Sequence, residues 1–309
     1  MIDVVIPVYK PGNELLILLK RLLAQSLSVN RIIIINTGKE YFNDKFLIDK
    51  IIEVYHISKS EFDHANTRHM GMEISKADYV LFMTMDAIPA DRMLTKNLAD
   101  MFDRCAVTGE KAAVTYARQL PKKNCRMQEC FTRQYNYPDK SIIKTAAEID
   151  NLGIKTYFCS DVCAMYDRNI YFQNGGFEKN MIFNEDMVYA AKAIKKGYAV
   201  AYCAEARVYH SHNYSCKEQF ARNFDLGVSQ TDYKEIFDSV SSESEGVKMV
   251  LSTAEYLWKN GHWYDIPYLF LNSVSKYVGY KLGRNYHKLS RKTIINFSSN
   301  KEYWNKTEE

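Results

Sequence analysis

Acids, histidines and one arginine gather at four places in this chain. The first is Asp86, which follows the apolar run Tyr79-Val80-Leu81-Phe82-Met83-Thr84-Met85 and precedes Ala87-Ile88-Pro89. The second is the pair Glu185-Asp186, and the third is His210 and His212. The fourth is His64, Asn66, Thr67, Arg68 and His69. A carboxylate and a neutral imidazole from separate strand ends together suit a divalent cation such as Mg²⁺ or Mn²⁺. Such a cation, or arginines, can neutralise the charge of a departing diphosphate. A further carboxylate able to accept a proton can activate a hydroxyl nucleophile. Each feature also has a plainer explanation. Glu185-Asp186 suits a helix N-terminus, one histidine of 210 and 212 could be an ordinary surface residue, and Arg68 could be a solvated helix charge. Their joint occurrence carries more than any one of them.

The elements that must position these residues alternate between strand and helix. Residues 2–8, 31–36, 51–57 and 79–85 are short apolar runs rich in β-branched residues, as in strands buried on both faces. Leucines 15, 16, 18, 19, 22 and 23 form a helical stripe within 13–25, and 66–76 also reads as helical. Strand–helix–strand units of this length imply a parallel sheet with helices on both faces. In such sheets ligands sit outside the carboxyl ends of the strands, which is where Asp86 falls. Further along, 91–104 reads as a helix opened by Asp91, 112–117 as a strand, and 118–155 as a long ordered loop with some helix. Residues 156–166, with Ser160 and Asp161, read as a strand. Gly175-Gly176-Phe177 reads as a turn, 185–196 as a helix stopped by Gly197, and 198–210 as a strand. Beyond Ser215 the pattern is helical, with a linker or loop expected at 239–246.

Composition narrows the function. The 309 residues are 47% hydrophobic and 25% charged, enough for a full core in one large or two smaller domains. A net charge of +4 is too mild to call for a nucleic-acid partner. No Gly-x-Gly-x-x-Gly follows the first strand and no Walker loop is present, so the usual phosphate cradles are missing. The seven cysteines have no C-x-x-C pair and read as reduced core thiols of a cytosolic protein. The chain opens on a strand-like run rather than a signal peptide, and no 18-residue apolar stretch suggests a membrane span. The 23 tyrosines suit sugar surfaces, membrane interfaces or cores alike.

Six segments, in order over roughly residues 1–230, resemble glycosyltransferase family 2 with its GT-A fold, and more narrowly the rhamnosyltransferase branch. They are Val4-Val5-Ile6-Pro7-Val8-Tyr9, the stretch Glu61 to Gly71 (Glu-Phe-Asp-His-Ala-Asn-Thr-Arg-His-Met-Gly), Thr84-Met85-Asp86-Ala87-Ile88-Pro89, Asn184-Glu185-Asp186, Lys196-Gly197-Tyr198 and Val208-Tyr209-His210-Ser211-His212-Asn213-Tyr214-Ser215. The second and last are the most specific to the branch. The resemblance implies a Rossmann-like, mostly parallel α/β sheet flanked by helices. It also implies inverting transfer from a nucleotide sugar, with dTDP-L-rhamnose expected, to a hydroxyl of a growing polysaccharide. Pro7, Val8, Tyr9 and Thr37 would hold the nucleoside, and Arg68 the nucleotide or its diphosphate. Thr84, Met85, Asp86 and Ala87 cover the family's Asp-x-Asp motif. By this resemblance they would bind the nucleotide sugar, Asp86 would be the motif's second acid and a metal ligand, and Thr84 would stand in place of the first acid. Asp186 would be the catalytic base with Glu185 beside it. His210 or His212 would complete the metal and diphosphate site.

The catalytic domain is expected over 1–215 and a helical region over 216–309. From Lys276 to Lys292 six basic residues occur without an acid, interleaved with Tyr277, Val278, Tyr280, Leu282, Tyr286 and Leu289. Such a basic amphipathic helix suits an anionic membrane surface or a solvated face, and an oligomer contact is a third use. On the inner membrane face it would meet an acceptor carried on a polyprenyl lipid, as the resemblance suggests for wall, capsule or O-antigen synthesis. Two other functions stay open at this level: the same fold with a UDP-hexose donor, and a non-catalytic sugar-nucleotide-binding protein.

Overall fold

The computed structural model of the chain describes residues 1–238 and 243–306. The elements run β1 (Ile2–Tyr9), α1 (Asn13–Leu23), β2 (Arg31–Thr37), β3 (Ile52–Ile57), α2 (His64–Ile74), β4 (Tyr79–Met83), β5 (Ile88–Pro89), α3 (Leu94–Val107) and β6 (Ala112–Leu120). They continue with α4 (Met127–Asn136), β7 (Ile142–Lys144), α5 (Ile149–Leu152), β8 (Cys163–Asp167), α6 (Arg168–Gln173), α7 (Glu185–Lys195) and β9 (Ala199–Tyr209). The last are α8 (Cys216–Asp232), α9 (Lys234–Phe237), α10 (Glu243–Lys259), α11 (Ile266–Gly283), α12 (Arg291–Phe297) and α13 (Lys301–Lys306).

The chain divides into two units. One comprises Met1–Leu120, Tyr137–Lys179 and Glu185–His210, the other Pro121–Asn136, Asn180–Asn184 and Ser211–Glu309. The first is a mixed sheet ordered β3-β2-β1-β4-β8-β6-β9-β5, with β7 on β9. β3, β2, β1 and β4 are mutually parallel, β8 runs antiparallel to β4, and β6 is parallel to β9. β1 and β4 are apolar along both faces because helices cover both sides. Leu15, Leu18, Leu19 and Leu22 of α1 are fully buried against one face. On the other face α2 lies so near β1 that a Cβ at Gly71 would collide with Val5. The chain leaves β1 toward β2 on one side and returns at β4 on the other. The carboxyl ends of β1 and β4 therefore flank a crevice of the kind that receives ligands.

The second unit is helical. Its core is Ile182, Phe224, Val228, Ile294 and Trp304. α8 begins in a capping box, Ser215 with Glu218. α8 and α11 cross with backbone almost on backbone: a Cβ at Gly227, Gly279 or Gly283 would fall inside van der Waals contact of the facing helix's main chain. Among the described residues no helix is long and apolar enough to cross a membrane.

Local differences from the sequence reading have local causes. The helix read at 91–104 starts at Leu94, because Asp91 Oδ1 accepts the Met93 N–H and forms a turn ahead of it. The strand read at 156–166 is narrower: Gly153–Tyr157 coil as a 3₁₀ turn and pairing begins at Cys163. In the loop read at 239–246, residues 239–242 lie outside the described residues, and α10 has already begun at Glu243. The basic stretch 276–292 is not one helix. α11 ends at Gly283, Tyr286–Lys288 form a 3₁₀ turn, and α12 starts after the Ser290 cap.

The glycine contact gives a direct test. Gly279→Val should force α8 and α11 apart and lower stability by about 1–3 kcal/mol, the usual penalty for overpacking. Urea unfolding would measure it. An unchanged midpoint would mean that the close approach is not required.

Candidate active site

The chain after β4 turns at once. The Ala87 N–H donates to the Thr84 carbonyl, and the Thr84 hydroxyl donates to Asp86 Oδ1 at 2.9 Å. The Thr84 hydroxyl thus holds the Asp86 carboxylate in place. The other Asp86 oxygen lies 3.5 Å from His210 Nε2. His210 follows β9, and its Nδ1 lies 2.9 Å from Oε1 of Gln119 on the adjacent strand β6. Gln119 directs its amide NH₂ to the Tyr137 hydroxyl and to Ser160 Oγ, so its Oε1 is the acceptor toward histidine. His210 then carries its proton on Nδ1, as assigned from this network. Its Nε2 lone pair faces a carboxylate. Two electron-pair donors meeting in a largely buried place fit a cation between them, and the Gln119 bond is the outer support that metal-binding histidines require. His212, two residues on, belongs to the second unit.

A second group of charges lies around α7. Asn184 takes a left-handed φ of 66°, which asparagine tolerates better than most residues, and turns the chain into the helix. Glu185 Oε1 accepts from Arg68 Nη1 at 2.8 Å, and Arg68 Nε lies 3.4 Å from Asp161 Oδ2. Asp161 also accepts from the Tyr166 hydroxyl at 2.7 Å. Its backbone N–H donates to Asp186 Oδ2 at 3.1 Å, while the Met187 N–H donates to Asp186 Oδ1 at 2.8 Å. Arg68 is 5% exposed; its Nη1 donates to Glu185 and to the His64 carbonyl, while its Nε faces Asp161 without a hydrogen bond.

Three carboxylates share this one guanidinium. Burial pushes Asp161 up to about 7, with Glu185 adding to the rise while Arg68 and the Tyr166 bond oppose it. Burial, then the Asp161 and Glu185 charges, hold Asp186 well above the usual carboxylate range. The helix N-terminus favours the anion by a fraction of a kcal/mol, and here desolvation and like charge outweigh it. A carboxylate raised in this way is a better proton acceptor near neutral pH than an ordinary aspartate.

The carboxyl ends of β1 and β2 form the third part. Tyr9 pairs with Thr37 in register. Val8 and Thr37 are buried, Pro7 is half-buried and Tyr9 is exposed. Thr37 Oγ1 and Asn36 Oδ1 are buried without a hydrogen-bond partner among the described residues. Tyr41 packs edge-on against Tyr9 with centroids 5.6 Å apart, and Lys10 Nζ lies 4.7 Å from the Tyr41 ring centre. The pattern of the chain did not single out Tyr41, Asn36, Gln119 or Tyr166, and it read Asp161 only as part of a strand. Gln119 and Tyr166 carry no sequence signal. Asp161 had one, since an Asp at the mouth of an apolar strand is placed like Asp86. Thr84, Met85 and Asp86 are half-buried at the end of β4, and Ala87 is fully buried.

The profile of Glycosyl transferase family 2 matches residues 3–173. The chain belongs to glycosyltransferase family 2. It is 37% identical over 307 residues to the O-antigen chain rhamnosyltransferase RfbN of Salmonella typhimurium, a match covering 98% of this chain and 96% of that protein. It is 38% identical over 251 residues to the O-antigen chain rhamnosyltransferase WbaN of Salmonella anatum, covering 81% and 78%. Among solved structures, S. aureus TarS 1–349 superposes with a TM-score of 0.51 at 13% identity, covering 93% and 91%. The mannosyltransferase PcManGT of Pyrobaculum calidifontis, solved with GDP-Man and Mn²⁺, gives 0.55 at 10% identity, covering 98% and 84%. At these identities the structures establish the GT-A-like fold. As a member of this family the chain is a glycosyltransferase that uses a sugar-nucleotide donor.

The carboxylate cluster predicts opposite pH trends for rate and stability. A base works deprotonated, so kcat/KM should rise with pH through an acid limb. Asp161→Asn removes a neighbouring negative charge and should move that limb to lower pH. The unfolded chain releases these protons near pH 4, whereas the fold holds the Asp161 proton to about 7. Unfolding free energy should therefore fall between these two pH values, and less in Asp161→Asn. A pH–rate profile and thermal melts over pH 4–8 read both trends; an unmoved limb would separate Asp161 from the base.

Proposed function

We propose that this enzyme transfers L-rhamnose from dTDP-L-rhamnose, with inversion, to a hydroxyl of a lipid-linked O-antigen-type polysaccharide. The observation that carries the proposal is the 37% identity to an O-antigen chain rhamnosyltransferase over nearly the whole of both chains. Pro7, Val8, Tyr9 and Thr37 bind the nucleoside, and Tyr41 is added to that group. Asp86 and His210 would hold a divalent cation, Mg²⁺ or Mn²⁺. His212 is two residues from His210 and thus, by chain geometry, within about 7 Å Cα to Cα, so it is the third candidate ligand. Such a cation, when bound, would offset the charge on the nucleoside diphosphate.

Asp186 accepts the proton of the acceptor hydroxyl as that oxygen attacks the anomeric carbon from the face opposite the diphosphate. The carbon is oxocarbenium-like at that moment, as in glycoside hydrolysis. Glu185 and Asp161 keep the Asp186 proton affinity high, and Arg68 holds these two carboxylates in place. In this reading Arg68 acts as a positioning residue rather than on the diphosphate, because its Nη1 already donates to Glu185.

Release of nucleoside diphosphate from a donor panel, with Mg²⁺, with Mn²⁺ and with chelator, tests the reading. Turnover should be confined to dTDP-L-rhamnose and lost with chelator. Turnover of a UDP-hexose instead would keep the family and discard rhamnose. Asp186→Asn should lower turnover by about 10²–10⁴-fold and leave donor affinity by calorimetry unchanged; a loss of affinity would refute the base assignment.

We also propose peripheral contact with the inner membrane face through α11. Phe270, Leu271, Val274, Tyr277 and Val278 recur at helical spacing and are 41–59% exposed. No acid occurs from Ile266 to Lys292. The exposed side is apolar rather than basic, so insertion at the interface contributes more than charge alone. Co-sedimentation with anionic vesicles should fall in Leu271→Ser/Val274→Ser; equal binding of both proteins would remove α11 from the contact.

A further inference from the structure

The second unit holds two hollows, and the smaller one borders His212, the third candidate cation ligand. One is a groove of about 410 Å³ whose walls include Arg126, Gln128, His262, Tyr264, Asp265 and Tyr268. The other is a small cavity with room of about 20 Å³, the scale of one oxygen. Its walls include Arg126, Gln128, Glu129, Asn272 and Lys276. Arg126 and Gln128 are common to both.

The charges in these walls are unbalanced. Glu129 is taken by Arg133 at 2.6 Å, and Asp265 lies 3.5 Å from His262. Arg126 donates from Nη1 to the Tyr268 hydroxyl at 2.9 Å and lies 5.1 Å from that ring centre, so its partner is neutral. Lys276 Nζ has neither a hydrogen-bond acceptor nor an ion-pair partner among the described residues. Burial depresses the pKa of this ammonium, while the Glu129 charge opposes the fall. An ammonium held this way gains from an anionic oxygen. Gln128 Oε1 is buried without a donor, and a hydroxyl would satisfy it. In the groove the Tyr264 hydroxyl lies 2.9 Å from His262 Nδ1, so ring and imidazole are held together. Aromatic faces beside planar polar groups suit a sugar ring.

We propose that these hollows bind a glycosyl diphosphate, with phosphoryl oxygens on Arg126 and Lys276 and the sugar against Tyr264 and Tyr268. This rests on the lipid-linked acceptor reading. A diphosphate occurs both on such an acceptor and on the nucleotide donor. The acceptor is the better match, because Tyr268 and Lys276 lie on α11, the helix that carries the exposed apolar stripe.

Calorimetry in the presence of chelator, with farnesyl diphosphate and dTDP as separate probes, tests the site without turnover. Lys276→Met and Arg126→Leu should each weaken binding at least tenfold, and Lys276→Arg should retain it. Loss confined to farnesyl diphosphate assigns the hollows to the lipid-linked acceptor, and loss confined to dTDP assigns them to the donor. Unchanged affinity for both probes in variants that melt like the wild type overturns the proposal. Arg126 is exposed, so its variant serves should Lys276→Met not fold. Neither probe contains rhamnose, so failure here is separable from failure of the donor assignment.

Discussion

The buried Arg68 is the interaction on which the rest of the active site depends. A guanidinium out of water needs anionic partners, and removing one partner of a buried pair typically costs about 3–5 kcal/mol. Here it meets Glu185 from the start of α7 and Asp161 from the approach to β8. Asp186 is next in the chain and takes a hydrogen bond from the Asp161 backbone. One cation thus ties α2, α7 and the β8 approach beside Asp186, the proposed base. The imbalance of three acids against one guanidinium has chemical value. Burial is the larger cause of the raised proton affinities of Asp161 and Asp186, and the uncompensated negative charge adds to it. Excess negative charge in a dry setting keeps a proton within reach near neutral pH.

The Asp86 side is built on the opposite logic. Its acid has a neutral support, the Thr84 hydroxyl, and its histidine is aligned by a neutral amide, Gln119. Neither of these contacts brings a positive side chain to the pair, and the arrangement suits a cation. This separates the roles of two carboxylate sites within one sheet. One is tuned by burial and protein charge to hold a proton, and the other presents lone pairs that suit a metal. The Thr84 hydroxyl orients the Asp86 carboxylate without adding charge of its own.

The second unit follows a different constraint. Gly227, Gly279 and Gly283 let α8 and α11 touch backbone to backbone, so the inward side of α11 needs little apolar bulk. Its large apolar residues are then free for the outward side. That is why a helix rich in tyrosine, leucine and valine leaves Phe270, Leu271, Val274, Tyr277 and Val278 exposed.

Local periodicity by itself made the parallel strands, the helices between them and the position of Asp86 legible in the sequence. Alternation of apolar residues and the strand-end position of the acid depend only on neighbours in the chain. Glu185-Asp186 and the His210 segment were legible as motifs for the same reason. What only tertiary structure decided was which charges meet. Arg68 and Glu185 are 117 residues apart in the chain, so no spacing rule could pair them. Asp161 and Gln119 became part of the site because β8 and β6 bring them beside α7 and β9. The division of the basic stretch 276–292 likewise followed from packing, since Gly283 closes α11 where the two helix backbones meet. Short-range pattern sets what each segment can be. The desolvation of a charge, and therefore its partner and its proton affinity, is set by everything folded around it.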